Sequence, residues 1–132
     1  RVSNGVEYNR AMLLLAVLEK RGGLLLGNCD AYLNVIGGLS LDEPAADLAA
    51  MLALASSFRD KPVPSDLAAI GEVGLTGELR AVSNLGQRLS EVRRLGFTKC
   101  LIPKRIQGKL AAPEGLELIR VANIREALAA LL

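Results

Sequence analysis

Apolar residues recur at helical spacing from Glu7 to Arg21, where Ala11, Leu14, Leu15 and Leu18 share one face and Gly22-Gly23 supplies the stop. The spacing predicts a first helix there, closed by basic residues that suit a helix C-terminus. Arg10 lies near its start, where a cation opposes the macrodipole, so an ordinary solvated side chain is expected. Ala31 to Ile36 is rich in β-favouring residues and ends at Gly37-Gly38, which predicts a strand and a turn. A second helix is expected from Pro44, whose missing N–H suits a first turn, with Asp42 or Glu43 as its cap. Leu48, Met51, Leu52, Ala55 and Phe58 form its apolar face, and it stops near Lys61-Pro62.

Further on, Leu67 to Leu75 reads as one strand leading into a Thr76-Gly77-Glu78 turn and a hairpin with Leu79 to Val82. Asn84 is placed to cap a helix bearing Leu85, Leu89 and Val92 and ending at Gly96. Lys99 to Pro103 and Leu116 to Val121 read as strands. Asn123 with Glu126 resembles a capping box ahead of Ala127, Leu128 and Leu131. The order α-β-α-β-β-α-β-β-α predicts a mixed α/β (α+β) fold, and with no repeat or linker, one domain over residues 1–132.

Composition narrows the chemistry. Over 132 residues, 51% hydrophobic and only 3% aromatic without Trp, the core must be aliphatic and stacking platforms for bases are scarce. The apolar run Ala11 to Leu18 is too short to span a bilayer and lacks a signal-peptide cleavage site, so no membrane partner is expected. Cys29 and Cys100 stand far apart without a partner motif, which fits a reducing, cytoplasmic setting and no metal site. The absence of histidine excludes His-dependent triads and His-ligated metals, leaving only Ser-Lys or Cys-only schemes. The glycine pairs lack the Lys-Ser/Thr of a phosphate-binding loop and the spacing of a dinucleotide fingerprint. Arg1 in place of Met points to a fragment of a longer protein.

Charge is unevenly distributed within a net of +2. Eight carboxylates against Arg59 and Lys61 leave −6 between residues 30 and 78, whereas eight cations against Glu91 leave +7 between residues 80 and 109. The acidic cluster Asp42, Glu43 and Asp47 is explained by the dipole of the helix it opens. The basic stretch includes Arg80, Arg88, Lys104, Arg105 and Lys109, and can neutralise phosphates if folding gathers it on one face.

Several segments in order resemble one family. They are Tyr8-Asn9-Arg10, Leu14 to Arg21, Asn34-Val35 with Gly37-Gly38, Glu43-Pro44-Ala45-Ala46-Asp47, Ser56 to Arg59, Gly71 to Arg80, Arg88-Leu89 and Leu95-Gly96-Phe97. Together they resemble the Lon proteolytic domain over nearly the whole chain, in the form at the C-terminus of the RadA/Sms family of bacterial DNA repair and recombination proteins. The resemblance implies a Lon-like fold of the ribosomal protein S5 domain 2-like class. Lon proteases use a serine nucleophile and a lysine base. Here the corresponding positions hold Ala45 and Gly86, so no catalytic residue is expected and the domain reads as proteolytically inactive. Arg88 falls where a nearby lysine often stands, but a guanidinium stays protonated and cannot serve as a base. A relocated dyad would have to draw on Ser40 or Ser83 with Lys61 or Lys104.

The resemblance further implies a homo-hexameric ring that acts as a scaffold and a sequence-independent DNA-binding platform, for single-stranded or branched DNA. Arg1, Arg10, Arg80, Arg88, Lys104, Arg105 and Lys109 are the candidate contacts. It also implies a longer bacterial cytoplasmic protein carrying a zinc finger and an ATPase core, with ATP, Mg and Zn as cofactors there and none in this domain, and a recombinase filament as a possible partner. The rival readings are a pure oligomerisation domain without DNA contact and a residual Ser-Lys peptidase.

Overall fold

A computed structural model describes residues 1–35 and 42–131. The expected Gly37-Gly38 turn, Ile36 and Ser40 lie outside the described residues. Among the described residues, four helices and seven strands follow one another as β1 (Val2–Asn4), α1 (Tyr8–Gly22), β2 (Tyr32–Asn34), a 3-10 turn at Pro44–Ala46, α2 (Asp47–Arg59), β3 (Leu67–Ala69), β4 (Glu72–Val73), β5 (Leu79–Arg80), α3 (Leu85–Arg94), β6 (Lys99–Pro103), β7 (Glu117–Val121) and α4 (Ile124–Leu131). The mixed α/β class and all four helices agree with the sequence pattern.

A parallel sheet in the order β3-β6-β7 divides the apolar residues into two cores. Its strands alternate faces, as the pleat requires. Leu67, Leu101 and Val121 join the larger core with Leu14 and Leu18 of α1, Leu48, Met51 and Leu52 of α2, and Ile124 and Leu128 of α4. Cys100 and Ile102 point the other way, into a smaller core with Leu85 and Leu89 of α3, Ile70, Val82, Leu116 and Ala45. The sheet is thus covered by α1, α2 and α4 on one face and α3 on the other, and its central strand β6 is buried from Cys100 to Pro103.

Helix ends depart from expectation in instructive ways. Glu7 caps α1, its carboxylate accepting the N–H groups of Asn9 and Arg10 at 3.0 Å each. Gly23 closes the helix in the left-handed region (φ 77°), its N–H reaching the carbonyl of Leu18. Pro44 opens a 3-10 turn rather than α2 itself, and neither Glu43 there nor Asn84 before α3 makes a side-chain cap bond. The box at α4 forms: Glu126 N–H donates to Asn123 Oδ1 at 2.9 Å. Its return bond reaches one residue further back, from Ala122 N–H to Glu126 Oε2 at 2.6 Å.

The strand expected at Leu67 to Leu75 breaks in two. Ile70 N–H still donates to Leu101, but Gly71 turns away to bond the 3-10 turn and the start of α2, its N–H going to Ala45 O (2.9 Å) and its carbonyl accepting from Leu48 N–H (3.0 Å). Beyond it, β4 and β5 form the expected hairpin, shorter than anticipated, with Glu72 opposite Arg80 and Val73 opposite Leu79. An additional strand, β1, runs parallel to β2 with Val2 opposite Tyr32.

Parallel strands cannot be joined by a tight turn, so β6 and β7 require a crossover. Residues 104–116 provide it without a helix, and this crossover carries Lys104, Arg105 and Lys109.

Candidate nucleic-acid interface

Ala45 and Gly86, where the resemblance implies a serine and a lysine, carry no reactive group, and their surroundings differ. Ala45 is 7% exposed, its methyl group packed in the smaller core. Gly86 is exposed in the first turn of α3, where a Cβ would meet nothing within 4 Å. The 3-10 turn and α3 are tied together two residues away from each, by Arg88 Nη2 donating to Glu43 Oε1 at 2.5 Å while Arg88 Nε donates to the Ser83 carbonyl at 2.8 Å.

Of the alternative nucleophiles, Ser83 is exposed and engages Arg88 through its backbone, and Ser40 lies outside the described residues. Burial pushes the Cys100 thiol up to about 12, so it stays protonated and inert at neutral pH. Cys29 is a half-buried free thiol.

The candidate cations separate into those already held and those left open. The expectation that Arg10 is simply solvated is overturned. Its guanidinium grips both carboxylate oxygens of Asp47, with Nε to Oδ1 at 3.1 Å and Nη2 to Oδ2, and Asp47 Oδ2 also accepts the N–H of Val73 at 3.1 Å. Asp47 is 4% exposed, so this carboxylate does more than complement the dipole of α2. Arg88 is held by Glu43, and Arg1 donates to the Leu26 carbonyl at 2.9 Å. Arg80 is exposed and pairs loosely with Glu78 at 3.6 Å. Glu78 in turn has its proton affinity lowered, chiefly by the Thr76 hydroxyl, with Arg80 adding a smaller Coulombic share.

Two other arginines in the basic stretch are committed elsewhere. Arg94 pairs with Glu91 along α3, which lowers the proton affinity of Glu91 through that hydrogen bond and raises that of Arg94. Arg93 braces the far end of the crossover, donating to the carbonyls of Glu114 (3.2 Å) and Phe97 (3.3 Å). By contrast Lys104, Arg105 and Lys109 are exposed and meet no carboxylate among the described residues.

The open cations start at the carboxyl end of the parallel sheet, the end where open α/β sheets bind ligands. Lys104 N–H donates to the Val121 carbonyl at 2.9 Å, which places the exit of β6 beside the exit of β7. Leu79 N–H donates to the next residue, Ala122, so β5 and Arg80 adjoin the same edge. Sequence reasoning passed over Arg120, exposed on β7 opposite Ile102, and Arg125 at the start of α4. Strand alternation over 117–121 was the available signal for Arg120. No helix among the described residues is long and apolar enough to cross a membrane, and no cluster of three His, Cys, Asp or Glu among them could hold a metal ion.

Comparison with known proteins gives this arrangement a family. Residues 29–132 match the Lon protease (S16) C-terminal proteolytic domain. The chain is 54% identical to the DNA repair protein RadA of Bacillus subtilis (strain 168) over 128 residues, which is 97% of the chain and 28% of that protein. It is 49% identical to the RadA proteins of Streptococcus pneumoniae and Listeria monocytogenes, again over 97% of the chain, covering 30% and 28% of their lengths. The chain therefore spans less than a third of the curated relatives it matches, and it belongs to the Lon protease C-terminal proteolytic domain family in the form carried by the RadA proteins.

Proposed function

We propose that this chain is a non-proteolytic Lon-like domain, of the S5 domain 2-like class, that binds DNA through its β6–β7 crossover as part of a DNA repair protein. The observation that carries the reading is the exposure of Lys104, Arg105 and Lys109 without carboxylate partners among the described residues, on a crossover that leaves the carboxyl end of the parallel sheet. The relatives are named DNA repair proteins, which supports the same reading. With two Tyr, two Phe and no Trp, contacts would be to phosphate rather than to stacked bases, and binding would be independent of sequence.

Loss of the protease activity follows from chemistry at two positions. A methyl at 45 cannot attack a carbonyl, and a glycine at 86 offers no base; residues of a dyad act as a unit, so losing both removes the mechanism. Incubation with an unfolded protein substrate and a serine-reactive probe tests this, and cleavage or labelling would overturn it.

Self-association in a homo-hexameric ring is the second part of the reading. The outward face of α2 supports it: Ala49, Ala53, Ser57 and Phe58 are exposed, and no charged residue falls between Leu48 and Phe58. A ring would repeat the crossover cations around its axis and concentrate their field on a phosphate backbone. In the whole protein, an ATPase core and zinc finger with ATP, Mg and Zn would lie outside this chain, in the bacterial cytoplasm, acting on single-stranded or branched DNA beside a recombinase filament. Light scattering reports the assembly, and a titration of oligonucleotide at several salt concentrations reports the contact. For three lysine or arginine contacts the salt slope should fall by roughly 2 on single strands when Lys104, Arg105 and Lys109 are all made alanine. Self-association without any oligonucleotide binding would leave only the oligomerisation role.

A further inference from the structure

A cavity of about 200 Å³ is lined by Arg21, Thr76, Gly77, Asn123, Ile124 and Arg125. It forms where the end of α1, the β4–β5 turn and the start of α4 meet. Ile124 N–H donates to Gly77 O at 2.8 Å, which fixes the turn against α4. Gly77 has φ +84°, and a Cβ there would lie 2.9 Å from Arg21 Cβ and 3.1 Å from Ile124 Cγ2. Glycine alone lets the stem of Arg21 close over this turn, and that contact brings the two helix ends together.

Both arginines are exposed, and Arg125 Nε donates to the Arg21 carbonyl at 3.4 Å. Neither guanidinium pairs with a carboxylate among the described residues. The nearby acids are engaged: Glu78 Oε1 accepts from the Thr76 hydroxyl at 2.8 Å and Glu78 pairs with Arg80, while Glu126 binds the N–H of Ala122. Arg21 suits the C-terminus of α1, but Arg125 sits in the first turn of α4, where a cation opposes the dipole. The placement of Arg125 is therefore unfavourable on its own helix, and the cavity is lined by two arginines with no carboxylate among its lining residues.

We infer that this pocket seats a phosphate group between the forked donors of Arg21 and Arg125. Guanidinium geometry matches phosphate oxygens two at a time, and an anion here would also relieve the cation at the start of α4. Backbone bonds from Lys104 to Val121, Leu79 to Ala122 and Ile124 to Gly77 link the pocket to the exit of β6 through the end of β7. A phosphodiester of bound DNA is one source of the group, and for that source the inference rests on the reading above. Free phosphate or pyrophosphate would supply the same chemistry.

The test uses the 132-residue chain, an Arg21→Gln/Arg125→Gln variant that keeps much of the Arg21 stem over Gly77, and the triple-alanine crossover variant. Circular dichroism and thermal melts establish that each is folded. The arginine Nε–Hε resonances are followed by NMR while a single-stranded oligonucleotide, and separately inorganic pyrophosphate, is added. Saturable shifts at Arg21 and Arg125 are expected, with the oligonucleotide salt slope lowered by about 1.4 in the double glutamine variant. Shifts with pyrophosphate alone support the pocket and assign it to free phosphate. If neither probe moves these resonances in the folded protein, the inference is overturned, whether or not the crossover variant loses affinity. Absence of oligonucleotide binding by every version overturns the DNA reading instead, and the pyrophosphate arm still decides the pocket.

Discussion

Arg10 of α1 and Asp47 of α2 form a two-pronged ion pair where the starts of the two helices meet, and the Val73 N–H of the hairpin completes the coordination of the carboxylate. Three elements distant in sequence are joined at a residue that is 4% exposed. Removing one partner of such a pair leaves an uncompensated charge, which costs more than the pair itself contributes.

Arg10→Ala is therefore expected to lower stability by roughly 2–3 kcal/mol, below the 3–5 typical of fully buried pairs because the Arg10 side chain is 32% exposed. A urea titration monitored by circular dichroism measures it. Any loss of DNA affinity in this variant should then be recovered when binding is compared at equal folded fraction; a residual loss would give Arg10 a direct contact as well.

At Gly86 the expectation runs the other way. Gly86 sits in the first turn of α3 with open space around it, so Gly86→Ala, which adds no charge against the helix dipole, should raise stability by about 0.4–1 kcal/mol. The same change combined with Ala45→Ser is expected to lose that gain, because a hydroxyl would enter an apolar cluster at a position 7% exposed. Thermal melts of the single and double variants check both signs.

These two positions show what the chain reveals before it is folded. That Ala45 and Gly86 lack the reactive groups is plain from residue identity, and the four helices follow from the 3.6-residue period because each buries one face. The ion pairs were hidden, since Arg10 and Asp47 are brought together only when α1 packs on α2. Gly71 interrupts an otherwise strand-like run for a similar reason: its partner is the carbonyl of Ala45, and nothing in the local pattern names it. β1 is three residues long, too short for a period, and exists by pairing with β2. Among the cations, sequence supplied the segment but not the division between arginines spent on carboxylates and the open crossover residues.

Glu78 gives a pH signature for the turn beside the arginine pocket. Its proton affinity lies below the ordinary 4.5, first through the Thr76 hydroxyl. A carboxylate depressed in the folded state stabilises it above the unfolded value, and that contribution disappears as pH falls through the folded value. In an NMR titration Glu78 should thus titrate below 4.5, and Thr76→Val should move it upward. The side chain is exposed enough that the effect on global stability should be small.

The two thiols should respond differently to a thiol-reactive dye at neutral pH. Cys100 is fully buried on β6, its thiol raised to about 12 by burial, and its nearest polar partner is the Leu101 carbonyl at 3.6 Å. Reaction requires the thiolate and a path to it, and Cys100 has neither in the folded state. Cys29, half-buried beside the groove between β2 and α2, should label in the native protein, and Cys100 only after denaturant opens the sheet. The labelling rate of Cys100 across a denaturant series consequently reports the opening of β6, and it should track global unfolding because this strand is hydrogen-bonded on both sides, to β3 and to β7. Labelling of Cys100 at a rate independent of denaturant would mean that the central strand opens locally, contrary to this packing.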